Sequence, residues 1–193
     1  EDENPALFVC VAEMIGTLNS TANPRSSSAI ALTMAYDPAF AYELAVIIKD
    51  GIRRMYVENE QLFYYVTLMN DNYVQAAMPD GCEEGILKGM YKFRNHKNAQ
   101  AQILGSGAIL PEAIQASELL EEKYGVATNI WSVTSYKCLI EDVQDAQREQ
   151  IRNGKEVKPY FASCLEGEVG PAIAASDYLK LMPGVLAQEA PNG

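Results

Sequence analysis

The chain is poor in the residues that most directly announce chemistry. It has 193 residues with one histidine, His96, one tryptophan, Trp131, and four cysteines, Cys10, Cys82, Cys138 and Cys164, each far from the next. No Cys-x-x-Cys pair occurs, which argues against a disulfide framework or a zinc site and leaves four reduced thiols as the expectation. Basic residues are also scarce: 15 Lys and Arg against 26 Asp and Glu give a formal net charge of −11. Such a surface repels phosphate backbones, and the cations are scattered along the sequence, so nucleic-acid binding is excluded as a function class. No run approaches the ~20 apolar residues that span a bilayer. Residues 6–15 are apolar but too short to cross, and Glu1-Asp2-Glu3-Asn4 is acidic where a signal peptide is basic. The expected location is cytoplasmic. Internal repeats and low-complexity tracts are missing too.

Globular composition is present. Hydrophobic residues make up 48% and charged residues 21% of the chain, enough for a sizeable core in one α/β domain or one domain plus part of another. Residues 6–18 read as a short buried helix or strand, 19–28 as a Ser/Thr/Asn/Pro loop, and 29–35 as a buried strand. Asp37-Pro38 marks a turn with proline at the first helical position. A helix follows over 39–56, with Phe40, Leu44, Ile47, Ile48, Ile52 and Met55 as its apolar face and Lys49, Asp50, Arg53 and Arg54 opposite. Residues 61–69 favour a strand, and 83–92 a shorter helix. The polar segment 95–98 is the expected boundary between a domain over 1–94 and another over 99–193. Beyond it come a strand (101–104), a Gly105-Ser106-Gly107 turn and a helix stopped by Gly125. A strand (130–134) and a polar helix (136–152) follow. Short strands at 160–164 and 172–175 precede a last helix over 177–182, cut by Pro183-Gly184. This alternation predicts an α/β fold with open, mostly parallel sheets and helices on both faces.

Each candidate for chemistry has a plain structural reading beside it. Gly105-Ser106-Gly107 sits where a dinucleotide-binding loop would be, but the third glycine of that fingerprint is replaced by Leu110, which favours an ordinary turn. His96 reads as a surface residue. The pairs Glu83-Glu84 and Glu121-Glu122 point about 100° apart on a helix and so do not form a carboxyl dyad. Tyr36-Asp37-Pro38 and Asn70-Asp71-Asn72-Tyr73 follow predicted strand ends, the edge where open α/β sheets bind ligands, although Asn and Asp favour turns in any case.

Longer phrases are more specific. Tyr36-Asp37-Pro38 through Ala41-Tyr42-Glu43 and Ala45-Val46-Ile47 resembles a run Y-D-P-x-x-A-Y-E-x-A-V-I. Tyr64-Tyr65-Val66-Thr67, Asn70-Asp71-Asn72-Tyr73 and Ala77-Met78-Pro79-Asp80-Gly81 resemble Y-Y-x-T-x-x-N-E-N-Y-x-x-x-A-M-P-E-G. Glu83-Glu84-Gly85-Ile86, Leu104-Gly105-Ser106-Gly107, Trp131-Ser132-Val133-Thr134-Ser135 and Ser176-Asp177-Tyr178 follow in order. Together they resemble the homodimeric, thiamine-diphosphate-dependent subunit family of pyruvate dehydrogenase.

That resemblance implies a subunit of three α/β domains that decarboxylates pyruvate and acetylates lipoamide on a lipoyl acyltransferase partner, with thiamine diphosphate held through magnesium. This chain would carry the end of the pyrimidine-binding domain and most of a transketolase C-terminal-like domain, without the diphosphate clamp. The expectation is therefore an inactive isolated chain that binds no cofactor. The substrate-facing positions carried over are Tyr36, Asp71, Asn72 and Tyr73. Asp71 stands for glutamate and Val74 for histidine, while Asn19 to Arg25 does not match a histidine- and glycine-rich segment. A homo-oligomer pairing through the apolar N-terminal half is expected. The alternative is a non-enzymatic interaction or dimerisation module on the same fold.

Overall fold

The computed structural model describes the backbone of residues 10–11 together with residues 33–70 and 72–190. Most of the expected element at 6–18 and the whole of the loop at 19–28 lie outside the described residues. Within them, strands and helices alternate to give an α/β fold with helices on both sides of its sheets, as the sequence predicts.

The first sheet is parallel, in the order β1 (Cys10–Val11), β3 (Phe63–Val66), β2 (Thr33–Tyr36). Helix α1 (Ala41–Ile52) connects β2 to β3 and runs into a π turn over Arg53–Val57, where the Glu58 N–H donates to the Arg53 carbonyl at 3.0 Å. The helix begins three residues later than Pro38 suggested. Phe40 stays extended at the N-cap (φ −119, ψ 152) because the Glu43 side chain reaches back to the Ala39 and Phe40 N–H groups.

The buried stripe of α1 also differs from the expected one. Ile47 and Met55 are inward, but Ile48 is 37% and Ile52 46% exposed. Glu43, Ile47, Asp50 and Gly51 form the inward face instead. Two acids sit there because each has partners: Asp50 accepts from the Tyr64 hydroxyl at 2.7 Å and pairs with Arg53 at 2.6 Å. Hydrophobicity alone therefore rotated the predicted face away from the real one.

Helix α2 (Glu83–Lys88) ends at Gly89, a left-handed cap at φ 108, and is shorter than expected. The next residues form β4 (Met90–Arg94), whose first three residues, 90–92, are expected within the helix. The second sheet runs β4, β6 (Thr128–Val133), β5 (Ala101–Gly105), β7 (Ala172–Ala175). β4 is antiparallel to β6, and the other two pairings are parallel. Residues 95–98, expected as a domain boundary, therefore connect two strands of this one sheet. The change of sheet falls at Gly89.

A short 3-10 turn (Gly107–Ile109) leads into α3 (Leu110–Tyr124), closed by left-handed Gly125 as predicted. Helix α4 (Tyr136–Asn153) starts with the Ser135 hydroxyl accepting from the Cys138 N–H. Residues 160–164, expected as a strand, form the short helix α5 (Tyr160–Cys164). The Asp142 carboxyl accepts the Tyr160 N–H at 2.6 Å and so caps its first turn, which decides an apolar run too short to show its own period. The last helix, α6 (Leu181–Leu186), passes through Pro183-Gly184 instead of ending there. Pro183 lies in the first turn, where a helix has no use for that N–H.

Candidate functional site

The carboxyl ends of strands from both sheets meet at Asp37. Its N–H donates to the Thr134 carbonyl at 2.7 Å, and its own carbonyl accepts the Gly107 N–H at 3.2 Å. The Thr67 hydroxyl donates to its carboxyl oxygen at 2.5 Å, and the Ser106 hydroxyl bonds to it as well. Neighbouring bonds tighten the seam: the Ser135 hydroxyl donates to the Ala35 carbonyl and the Thr134 hydroxyl to the Ile86 carbonyl, both at 2.6 Å. On the far side, the Ser106 hydroxyl bonds that of Ser176 at 3.1 Å, beside Tyr178. Burial pushes the Asp37 carboxyl up to about 6, and the negative charges of Asp177 and Glu43 add to the rise, while the Thr67 and Ser106 hydroxyls oppose it.

Gly107 makes this meeting possible. It adopts φ +46, and a Cβ there would overlap the Asp37 carboxyl group. The same contact explains why the glycine turn is no dinucleotide cradle. A carboxyl group of the protein occupies the position over the second glycine where a pyrophosphate would approach, and Leu110 is fully buried. Facing Asp37 from α4 is Tyr136, whose buried hydroxyl has no hydrogen-bond partner among the described residues.

Beside this seam, Glu43 is fully buried with both oxygens engaged. One accepts the Ala39 and Phe40 N–H groups at 2.6 and 3.0 Å. The other accepts the Tyr91 hydroxyl on β4 and the Ser132 hydroxyl on β6, each at 2.7 Å. The Tyr42 and Tyr91 hydroxyls bond one another at 2.5 Å. Glu43 is hard to single out from sequence because the residue three before it, Phe40, is no polar cap. A glutamate three residues inside a helix start was the available signal.

The expected site residues divide. Tyr36 ends β2 in the core at 3% exposure; its hydroxyl donates to the Leu87 carbonyl at 2.9 Å and its ring stacks on Tyr64. Asp71 lies outside the described residues. Asn72 is exposed. Tyr73 is half-buried, with its hydroxyl donating to the Ala39 carbonyl and its ring 6.4 Å from that of Phe40. Val74 is 91% exposed, an apolar tip on a polar loop. The structure thus joins Tyr73 to the segment after Asp37, while Tyr36 points into the core.

Other candidates are settled by their surroundings. His96 accepts the Asn98 N–H and lies 3.4 Å from Glu121 at the surface. Cys82, Cys138 and Cys164 are free thiols whose pKa burial pushes up, which disfavours the reactive thiolate. An open groove of about 250 Å³ is lined by Cys82, Tyr91, Lys92, Trp131, Tyr160 and Cys164. Its lysine lies over the Trp131 ring and pairs with Glu168 at 2.5 Å. Among the described residues, no three His, Cys, Asp or Glu side chains gather as metal donors, and no helix is long and apolar enough to cross a membrane.

Comparison with known proteins agrees with this architecture. Residues 89–190 match the family model of the transketolase-like C-terminal domain, and residues 19–76 that of the pyruvate dehydrogenase E1 component middle domain. The chain is 44% identical over 171 residues to the pyruvate dehydrogenase E1 component of Pseudomonas aeruginosa, covering 86% of this chain and 19% of that one. The Escherichia coli K12 component is 44% identical over 153 residues, covering 77% and 17%, and the Mycobacterium tuberculosis component 40% over 157, covering 78% and 17%. The chain therefore spans under a fifth of the length of these relatives. Among solved structures, the transketolase of Leishmania mexicana superposes with a TM-score of 0.54 at 15% identity, over 81% of this chain and 20% of that one. The Campylobacter jejuni transketolase gives 0.51 at 18% identity, over 86% and 22%. The first family model covers more than half of the residues, and the boundary it draws coincides with the change of sheet at Gly89. The chain belongs to the transketolase-like C-terminal domain family and is related over most of its length to the E1 component of pyruvate dehydrogenase.

Proposed function

We propose that this chain is a portion of a pyruvate dehydrogenase E1 component whose intact form decarboxylates pyruvate and passes the two-carbon unit to lipoamide on a lipoyl acyltransferase. The observation that carries the reading is the collinear 44% identity over 171 residues, which runs through both matched regions. Thiamine diphosphate, with magnesium, supplies the electron sink for decarboxylation in such an enzyme. The described residues offer neither a metal donor set nor an anion cradle, since Asp37 fills the one glycine turn that resembles one. The isolated chain is proposed not to turn over pyruvate. Its part is to support the rim of the site: Asp71, Asn72 and Tyr73 are the substrate-facing candidates, while Tyr36, expected among them, is buried with its hydroxyl on the Leu87 carbonyl and backs the strand end from the core.

The proposed setting is a cytoplasmic homo-oligomer pairing through its N-terminal half, where Ile52, Tyr56, Val57 and Phe63 are exposed. The non-enzymatic alternative draws support from β7, an edge strand with Ile173 half exposed. A chimera decides between them. Residues 33–190 replace the matching segment of the Pseudomonas aeruginosa component, and carbon dioxide release from pyruvate is measured with thiamine diphosphate and magnesium. Turnover that rises on changing Val74→His supports the enzymatic reading. A folded, cofactor-binding chimera with no turnover, with or without that change, overturns it.

A further inference from the structure

We propose that Glu43 is a positioning residue for the loop over residues 72–75, a role that rests on the reading of that loop as substrate-facing. Three consecutive residues form the link. Ala39 and Phe40 give their N–H groups to one Glu43 oxygen, and Ala39 gives its carbonyl to the Tyr73 hydroxyl. The Phe40 ring packs beside the Tyr73 ring, and the Ala41 N–H donates to the Gln75 side-chain carbonyl at 2.9 Å. The loop has no helix or strand of its own between residues 72 and 79, so its shape depends on such side-chain links. Residues 39 and 40 are in turn held by one buried carboxyl group whose other oxygen is fixed by Tyr91 and Ser132 on the second sheet. The path therefore runs from two strands, through Glu43, to the turn, and from the turn to Tyr73 and Gln75.

This path predicts which substitutions matter. In Glu43→Gln, the amide oxygen still accepts from Ala39 and Phe40, and the amide N–H groups face hydroxyls that can turn to accept them. In Glu43→Ala, both backbone donors are released. Met55→Ala removes a buried side chain from the far end of the same helical segment, without touching residues 39–41, and supplies a destabilised control.

The test uses the full chain and chymotrypsin. Cleavage after Tyr73 is compared with cleavage after exposed Tyr124, which serves as the internal reference. Glu43→Ala is expected to raise the Tyr73 to Tyr124 cleavage ratio about tenfold, as removal of buried hydrogen-bond links should. Glu43→Gln and Met55→Ala should leave the ratio within about twofold of the parent chain. Should Glu43→Ala not fold, the double variant Tyr91→Phe/Ser132→Ala loosens Glu43 from the other side and is expected to raise the ratio by about threefold. An unchanged ratio in folded Glu43→Ala, or in the double variant, overturns the proposal, as does an equal rise in Glu43→Gln or Met55→Ala. No turnover is needed for this readout, so its failure is distinct from failure of the chimera assay.

Discussion

The two sheets bury their residues in opposite ways. In the second sheet, every residue of β5 and β6 is buried, although β6 reads Thr-Asn-Ile-Trp-Ser-Val. In the first, β3 reads Phe-Tyr-Tyr-Val, yet its first residue is exposed and its third half-buried. β3 is central in its own sheet too, so the difference lies in cover. Trp131 and Val133 of β6 pack with Leu139 and Phe161 on one face and Ile130 with Leu110 and Phe40 on the other, which closes both faces whatever the residue type. The polar side chains trapped there have become anchors. Thr128 donates to Ser117 at 2.7 Å, Asn129 to Glu168 at 2.8 Å, and Ser132 to Glu43 at 2.7 Å. A buried hydroxyl or amide needs a partner, and here Ser117 and Glu43 offer it from helices packed on the sheet and Glu168 from the loop before β7, so the polar residues fix how these parts sit.

The largest effect that sharpens this contrast is expected at β6. Ile130 is fully buried, and Ile130→Ala should cost about 3–4 kcal/mol in urea unfolding, as loss of a core side chain with little room for relaxation does. A cost under 1 kcal/mol would remove the distinction between the sheets.

Next comes the seam between them. The folded pKa of Asp37 is about 6, against an ordinary value of 3.8, so the native state holds this proton more tightly than the unfolded chain. Its contribution is fully present below about pH 4, is lost as the pH climbs through 6, and stays lost above that. Asp37→Asn should remove this slope and leave the protein more stable than the parent at pH 7.5 by up to about 2–3 kcal/mol, with little difference at pH 4. Unfolding midpoints at the two pH values check it; identical slopes in both proteins contradict it.

Gly107→Ala should cost about 1–3 kcal/mol, because it combines a left-handed backbone with overlap on the Asp37 carboxyl. The smallest effect is expected on the first sheet. Phe63 is already partly exposed, and Phe63→Ala should change stability by less than about 1 kcal/mol. A loss as large as that of Ile130→Ala would mean that Phe63 is covered in solution, by a second copy of the chain for instance, which sedimentation would reveal.

Element type was legible wherever a pattern was long or a stop signal strong. The helix before Gly125 and the polar helix before Gly154 both emerged as read, because left-handed glycine caps mark their ends. Short apolar runs were not legible. Residues 90–92, expected within a helix, lie in a strand, and 160–164, expected as a strand, form a helix, since runs this short show no period and distant partners such as Asp142 and β6 decide. In the candidate site, Asp37 was legible as the residue after a strand end. Its engagement with Gly107 was not, because close approach of two turns leaves no trace in either one. Glu43 was hidden for the same reason: its two hydroxyl partners lie about 50 and 90 residues away in sequence.

The strand order carries one consequence for how the chain is made. β6 lies between β4 and β5, and among the described residues β7 pairs only with β5. As the polypeptide leaves the ribosome, β4 and β5 emerge with no neighbour to bond, and pairing in this sheet waits until residues 128–133 arrive to slot between them. Until then the two five-residue strands β4 and β5 carry unpaired edges. The tempo of synthesis up to β6 therefore sets how long the nascent chain is open to wrong partners, and substitutions that slow docking of β6 should lower soluble yield more than they lower equilibrium stability.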